Sequence, residues 1–215
     1  MRHLTLLIMG SALAGADTIV VTGFAPFAGR GVNGSETIAR RLDGAVIAGA
    51  TVAVRILPVR WGVPEQTLPG LAANRPRLLL GLGEGHPGRI AVELVGRNRA
   101  GHPDEAGVPP PARLGDGPAE RDARFAFEPA AFATSPVPVV ASRDAGAYLC
   151  NAWLWHAAAL PVPAVGFVHL PPQGETPDAA YAAPIEPVIR ALIARQLASA
   201  TSPVPAPAGP GAGTR

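Results

Sequence analysis

The feature that most constrains the fold is the alternation of short aliphatic runs with segments of helical character. The runs are continuously apolar, which is typical of strands buried on both faces. Strands that alternate with helices build an α/β fold around a largely parallel sheet. We therefore predict a three-layer α/β/α sandwich with a mostly parallel, mixed sheet. The predicted strands are residues 18–24, 50–59, 78–82, 90–95, 137–142 and 164–170, and the predicted helices are residues 35–42, 64–74, 151–160 and 177–200.

The length of 215 residues suits one domain, which we expect to span residues 17–200. Residues 201–215 are nearly all Pro, Ala, Gly, Ser and Thr and are expected to be a disordered tail. Residues 1–16 combine a short basic start, an apolar run and a small-residue site, which fits either a secretory leader or an N-terminal extension. The expected compartment is the cytoplasm, or the periplasm or exterior if the leader is a signal peptide.

Two segments interrupt the regular pattern. Pro69 lies inside the predicted helix 64–74, where it removes a hydrogen bond, so we expect a kink or a short helix there. Residues 101–136 are rich in Pro, Gly and Arg. A segment of this length and composition predicts a lid or a mobile insertion, with a weak helix near residues 119–132.

Charge and cysteine content exclude several classes of protein. The formal net charge is +2 and no basic run is longer than Arg40-Arg41, so we expect no nucleic-acid partner. No apolar run reaches the ~18 residues that a membrane span requires, so we expect no membrane partner. Cys150 is the single cysteine, which excludes an internal disulfide and a cysteine-based zinc site.

Cys150 precedes a segment with helical spacing, so the sequence predicts its thiol at a helix N-terminus. The helix dipole and the free backbone N–H groups there favour a thiolate and can hold an oxyanion. Taken alone, a cysteine among apolar neighbours is more often a small buried hydrophobic residue. Cys150 is therefore a candidate nucleophile that needs a partner base.

His169 and Glu93 are the candidate partners of Cys150. His169 ends a predicted strand, and functional side chains gather at the carboxyl ends of strands in open α/β sheets. Because the Cys150 segment also follows a strand, we expect both side chains at one edge of the sheet. Glu93 lies in an apolar strand, where a carboxylate must be paired or functional. The alternatives are a histidine satisfied by local backbone and an edge-strand glutamate that faces water.

A glycine-rich segment and a set of loop residues suggest other chemistry, which we reject. Residues 81–88 follow a strand but lack the Gly-Lys-Ser/Thr of a phosphate loop, so we predict no nucleotide binding. Four further side chains lie in two loops without a regular ligand spacing, so we predict no metal site. These four are Glu84, His86, His102 and Asp104.

Several stretches carry motifs of one known family. Residues 22–29 read T-G-F-A-P-F-A-G and residues 32–35 read V-N-G-S. Residues 93–98 read E-L-V-G-R-N, residues 142–151 read S-R-D-A-G-A-Y-L-C-N and residues 166–171 read G-F-V-H-L-P. Together they resemble the pyroglutamyl peptidase I family, cysteine peptidases that remove an N-terminal pyroglutamate. The resemblance spans about residues 18–172.

The resemblance implies a role for each of five residues. It implies Cys150 as nucleophile, His169 as base and Glu93 as the acid that orients the imidazole, the same three residues selected above on chemical grounds. It further implies that Phe24 and Phe27 wall the pocket for the lactam ring. Because pyroglutamate is neutral and flat, aromatic walls with a few polar contacts suit it. No metal or cofactor is implied.

Two departures from the family pattern concern the substrate pocket. Glu84, which we predict to line that pocket, stands where the family has Gln. An ionised carboxylate only accepts hydrogen bonds and would repel the lactam carbonyl. The Arg that the family has before its next turn corresponds to Gly101, and we expect Arg97 or Arg99 to replace it.

The predicted function is that of a cysteine exopeptidase that releases N-terminal pyroglutamate from peptides. Its predicted partner is a peptide with an N-terminal pyroglutamate, and the resemblance allows a homo-oligomer. One alternative is a related amidase that accepts another small acyl group, motivated by Glu84. The other is an inactive relative that binds a cyclised N-terminus or a partner protein, motivated by the altered region 83–107.

Overall fold

The computed structural model describes residues 17–201, so the predictions for residues 1–16 and for nearly all of 201–215 lie outside the described residues. Seven strands form one sheet in the order β2-β3-β1-β4-β9-β5-β8, and β6 and β7 form a separate antiparallel pair. The strands are β1 (Thr18–Phe24), β2 (Val46–Ile47), β3 (Ala50–Leu57), β4 (Leu78–Glu84), β5 (Ile90–Glu93), β6 (Val95–Arg97), β7 (Glu120–Asp122), β8 (Val139–Ser142) and β9 (Ala164–Leu170).

The large sheet is mixed and mostly parallel, as the sequence predicts. Strands β3, β1, β4 and β9 are parallel neighbours. Strand β5 is antiparallel to β9, and β8 is parallel to β5. Strands β5 and β8 therefore run in the direction opposite to β3, β1, β4 and β9. Strand β2 is an antiparallel edge strand beside β3. The reversal at β9 and β5 bears directly on the candidate site.

Two helices cover each face of the sheet. Helices α1 (Gly34–Leu42) and α4 (Asp178–Thr201) pack together on one face, and α2 (Val63–Ala73) and α3 (Leu149–Ala157) pack together on the other. All seven residues of β1 are buried, and its side chains alternate between the two cores. Ile19 and Val21 contribute to the α1/α4 core, whereas Val20 contributes to the α2/α3 core. Helices therefore cover both faces of the sheet, which confirms the three-layer sandwich.

Helix α2 passes through Pro69 within a single assigned span, so the helix is not divided there. Pro69 is exposed, and the carbonyl that a proline leaves without an intrahelical partner can therefore meet water on that side. With eleven residues, α2 is a helix of ordinary length.

The long segment after residue 100 differs from its prediction. In place of a helix near residues 119–132 it contains β7 and a short 3-10 helix, Pro129–Phe132. The segment is packed onto α3: the Arg121 guanidinium lies 3.6 Å from the Trp155 ring centroid and donates to the Trp155 carbonyl. Asn98 holds the middle of the segment by hydrogen bonds to the backbone of Leu114 and Gly115. These contacts bind the segment to the domain.

None of the helices within residues 17–201 combines the length and the apolar character that crossing a membrane demands.

Candidate active site

Strands β5 and β9 bring a histidine and a glutamate together. Because the two strands are antiparallel neighbours, Ala91 lies opposite His169 and Glu93 lies opposite Phe167. The Nδ1 atom of His169 is 2.9 Å from Oε1 of Glu93. Glu93 is therefore neither a solvent-facing nor an unpaired acid, and His169 is held by a carboxylate rather than by local backbone.

The sequence predicts that Cys150 and His169 meet because the strands before them end at the same edge of the sheet. That reason is wrong. Strand β8, which precedes the Cys150 segment, runs antiparallel to β9, so their carboxyl ends point to opposite edges. The loop between β8 and α3 spans the distance between these two edges and brings the start of α3 back over the sheet. Asp144 holds this loop, since it accepts hydrogen bonds from Gly146 N–H and from Arg99.

Burial and charge act in opposite directions on the pKa of His169. Burial lowers this pKa, but the interactions with Cys150 and with the Glu93 carboxylate outweigh burial and raise it from 6.5 to about 10. Glu93 is only 2% exposed, and its Oε2 accepts no hydrogen bond from residues 17–201. The charge of Glu93 is therefore directed at the imidazole.

Cys150 is the second residue of α3, as its sequence context predicts, and it is half-buried. The residue before the helix, Tyr148, contributes no side-chain cap to the first turn. Asn151 anchors this turn to β6 and the residues after it: its Oδ1 accepts from the N–H of Arg97, and its Nδ2 donates to the carbonyls of Arg97 and Arg99. The thiol thus lies at a helix start held by a buried amide.

Two glycines at the end of β4 make room for the reactive side chains. A Cβ atom on Gly83 would lie 2.7 Å from Sγ of Cys150, and one on Gly85 would lie 2.7 Å from Cβ of His169. Such distances are far shorter than ordinary van der Waals contacts. The glycine-rich segment 81–88 therefore allows sulfur and imidazole to approach the backbone of β4, a role that its composition alone does not indicate.

A cavity of about 140 Å³ opens beside Cys150 and His169. Five of the six predicted site residues line it, and the sixth, Glu93, lies behind His169. The cavity is lined by Phe24, Phe27, Asn33, Glu84, Ala145, Gly146, Ala147, Tyr148, Cys150 and His169. The structure thus brings these six residues together around one cavity.

Glu84 lines the cavity, but its carboxylate already has protein partners. Oε1 accepts from Gly34 N–H at 2.7 Å and from Gln173 N–H at 3.0 Å. Oε2 is 2.5 Å from Nη1 of Arg30. The sequence analysis did not find Arg30, because the arginine lies 54 residues from Glu84 along the chain.

Arg97 and Arg99 do not occupy the pocket as replacements for the family arginine. Both pair with Asp144, and Arg97 also pairs with Glu120. Neither is among the residues that line the cavity. They stabilise the loop in front of α3 instead.

A thiol at a helix start, beside a histidine paired with a buried glutamate on an α/β sandwich, is the arrangement that cysteine hydrolases use. The family model for pyroglutamyl peptidase matches residues 17–195 of this chain. The pyrrolidone-carboxylate peptidase of Chromobacterium violaceum is 38% identical over 166 residues, which cover 72% of this chain and 77% of that protein. The chain belongs to the pyroglutamyl peptidase family, which confirms the resemblance seen in the sequence.

Solved structures of this family have the same fold. A mutant pyrrolidone carboxyl peptidase from Pyrococcus furiosus superposes with a TM-score of 0.74 at 27% identity, over 85% of this chain and 99% of that chain. The pyrrolidone carboxyl peptidase from Thermus thermophilus gives a TM-score of 0.69 at 30% identity, over 85% and 98% of the two chains.

Proposed function

We propose that this protein hydrolyses the amide bond that follows an N-terminal pyroglutamyl residue, with Cys150 as nucleophile, His169 as acid and base, and Glu93 as the group that orients and charges the imidazole. The observation that carries the proposal is the 2.9 Å contact between His169 and a buried Glu93, beside a cysteine at a helix start. Membership of the pyroglutamyl peptidase family supports the choice of substrate.

The proposed reaction begins with a thiolate on Cys150 and a proton on His169. The sulfur attacks the pyroglutamyl carbonyl carbon, and backbone N–H groups at the start of α3 stabilise the oxyanion. His169 donates its proton to the leaving nitrogen as the C–N bond breaks, which leaves a thioester on Cys150. His169 then takes a proton from water, the hydroxide attacks the thioester, and pyroglutamate leaves as the thiolate and the imidazolium form again.

The cavity suits a small neutral acyl group. Phe24 and Phe27 provide aromatic surface for a flat lactam ring. Among the described residues that line this cavity, Glu84 is the one acidic side chain, and its ion pair with Arg30 compensates its charge. Within residues 17–201 the cavity therefore offers no uncompensated acid to attract the free amine of an ordinary peptide N-terminus. The proposed substrate is a peptide blocked by pyroglutamate.

The test is steady-state turnover of pyroglutamyl-naphthylamide by the wild-type protein and by Cys150→Ser. We expect robust wild-type activity and a loss on the order of 10⁴-fold or more in the variant, because removal of a catalytic nucleophile leaves only binding and oxyanion stabilisation. Prolyl- and glutaminyl-naphthylamide, which carry a free amine, serve as matched substrates that should be hydrolysed poorly. Activity that survives loss of the thiol would end the cysteine mechanism, and equal hydrolysis of all three amides would end the proposed specificity.

A further inference from the structure

Arg30 lies between an aromatic wall of the cavity and the carboxylate of Glu84. Its guanidinium carbon is 4.3 Å from the centroid of the Phe27 ring, and its Nη1 is 2.5 Å from Oε2 of Glu84. Its Nε also donates to the Phe27 carbonyl at 3.4 Å. One side chain thus contacts both the ring and the backbone of Phe27 while it neutralises Glu84.

Glu84 connects three segments of the chain around the cavity. It ends β4, accepts from Gly34 N–H at the start of α1, and accepts from Gln173 N–H in the loop that follows His169 and β9. Its side chain is only 3% exposed. A carboxylate that is this deeply buried is costly unless all of its oxygens are paired.

These contacts leave Glu84 little capacity to bind a substrate directly. Oε1 already has two donors and Oε2 has the guanidinium. Without Arg30, an ionised Glu84 would face the cavity with an unpaired oxygen and would repel the carbonyl oxygen of a lactam.

We propose that Arg30 and Glu84 are a positioning pair that sets the affinity of the acyl pocket for the lactam ring. Arg30 holds the Phe27 wall and cancels the charge of Glu84, and Glu84 fixes Arg30, the start of α1 and the loop after β9. This inference rests on the proposed function and deepens it. It accounts for the acid at the position where the family has Gln: the charge is tolerated because Arg30 compensates it.

The proposal predicts an unusual order of effects among three variants. Arg30→Gln leaves a buried, unpaired carboxylate beside the cavity and is therefore the most damaging change. Glu84→Gln removes the charge and keeps an acceptor for the two N–H groups, so it is milder. In the double variant no uncompensated charge remains, so lactam binding returns toward that of Glu84→Gln alone.

The experiment measures two quantities on each variant. The first is the KM and kcat for pyroglutamyl-naphthylamide. The second is the protection of Cys150 against iodoacetamide by pyrrolidinone, which carries the lactam ring alone and requires no turnover. We expect Arg30→Gln to raise KM about tenfold or more and to weaken the protection by pyrrolidinone by the same factor. Such a change is equivalent to the loss of one strong polar contact. The alkylation rate without lactam should stay within about twofold, because Arg30 is not among the residues that line the cavity beside Cys150.

Arg40→Gln is the matched control, since Arg40 forms an ion pair with Glu36 on exposed helix surface. It should leave KM and protection unchanged. If Arg30→Gln binds lactam as well as the wild type, or if the double variant is worse than Arg30→Gln, the positioning pair is refuted while the proposed function stands. If the wild type shows neither turnover nor protection, the proposed function fails, and this inference fails with it.

Discussion

At the scale of single residues, the candidate site depends on where its proton resides. Glu93 is buried, and its nearest polar contact is the imidazole of His169 at 2.9 Å. Together with Cys150 it raises the pKa of His169 to about 10 against the opposing effect of burial. A histidine with a raised pKa keeps its proton until the pH approaches that value. His169 should therefore stay protonated across neutral pH.

Glu93→Gln tests this charge. Because Glu93 raises the pKa of His169, its neutral isostere lowers that pKa, and the imidazolium is lost at a lower pH. We expect the alkaline limb of the kcat/KM profile to move to lower pH, with a loss of about 100-fold or more near neutrality. Glu36→Gln, which removes an acid from the surface of α1, should change neither the position of the alkaline limb nor the value of kcat/KM near neutrality. An alkaline limb that stays in place in Glu93→Gln would contradict the assigned role.

Gly83→Ala tests the close approach of sulfur and backbone. The new Cβ would lie 2.7 Å from Sγ, so the sulfur must move. A displacement of about 1 Å can cost roughly 100-fold in rate, and we expect a loss in kcat of that order. Gly70→Ala is the control: it lies in α2 with open space around its Cβ position and should raise stability slightly. Full activity in Gly83→Ala, with correct folding, would show that the sulfur lies elsewhere.

At the scale of elements, the first turn of α3 is held by one buried amide. Asn151 makes three hydrogen bonds to the backbone of Arg97 and Arg99. It fastens the helix that carries Cys150 to β6, which follows closely after β5 and Glu93. The nucleophile and the acid are thereby coupled through the short strand β6.

Asn151→Ala should affect both stability and catalysis. It removes three hydrogen bonds to partly buried backbone groups of Arg97 and Arg99, at a cost of about 1–3 kcal/mol in the free energy of unfolding, measured by urea denaturation. Because the first turn of α3, which carries Cys150, loses its anchor, we also expect a fall in kcat of about tenfold or more. Asn98→Ala removes comparable side-chain bonds to the backbone of residues 114 and 115 and should cost stability with little loss in kcat. If Asn151→Ala and Asn98→Ala lowered kcat equally, Asn151 would contribute to the stability of the fold and not specifically to catalysis.

Strand direction is the property of the elements that could not be predicted. The apolar runs of β5 and β8 identify strands but contain no information on which neighbour each strand pairs with. Strand β5 pairs antiparallel with β9 and β8 pairs parallel with β5, so both strands run in the direction opposite to β9. His169 nevertheless lies near Cys150 as predicted, because the loop after β8 returns the chain to the same site.

At the scale of the whole molecule, the sandwich was predictable because burial on both faces leaves a strong signal. The bounds of β1 and β9 agree with the sequence prediction to the residue. Strands β2, β6 and β7 have only two or three residues, which is too short for a periodic pattern, and all three were missed. Cys150, His169 and Glu93 could be grouped on chemical grounds, whereas Phe24, Phe27 and Glu84 were assigned to the site through the family resemblance. The pairing of Arg30 with Glu84 was not, because only the folded chain brings the two side chains together.

The most direct test of the account is to identify the covalent intermediate. The protein would be mixed with a pyroglutamyl ester, quenched in acid during turnover, digested and analysed by mass spectrometry. We predict one pyroglutamyl group per chain, attached to the peptide that contains Cys150, and none in Cys150→Ala. Continued turnover with no adduct, or an adduct on a different residue, would contradict the account.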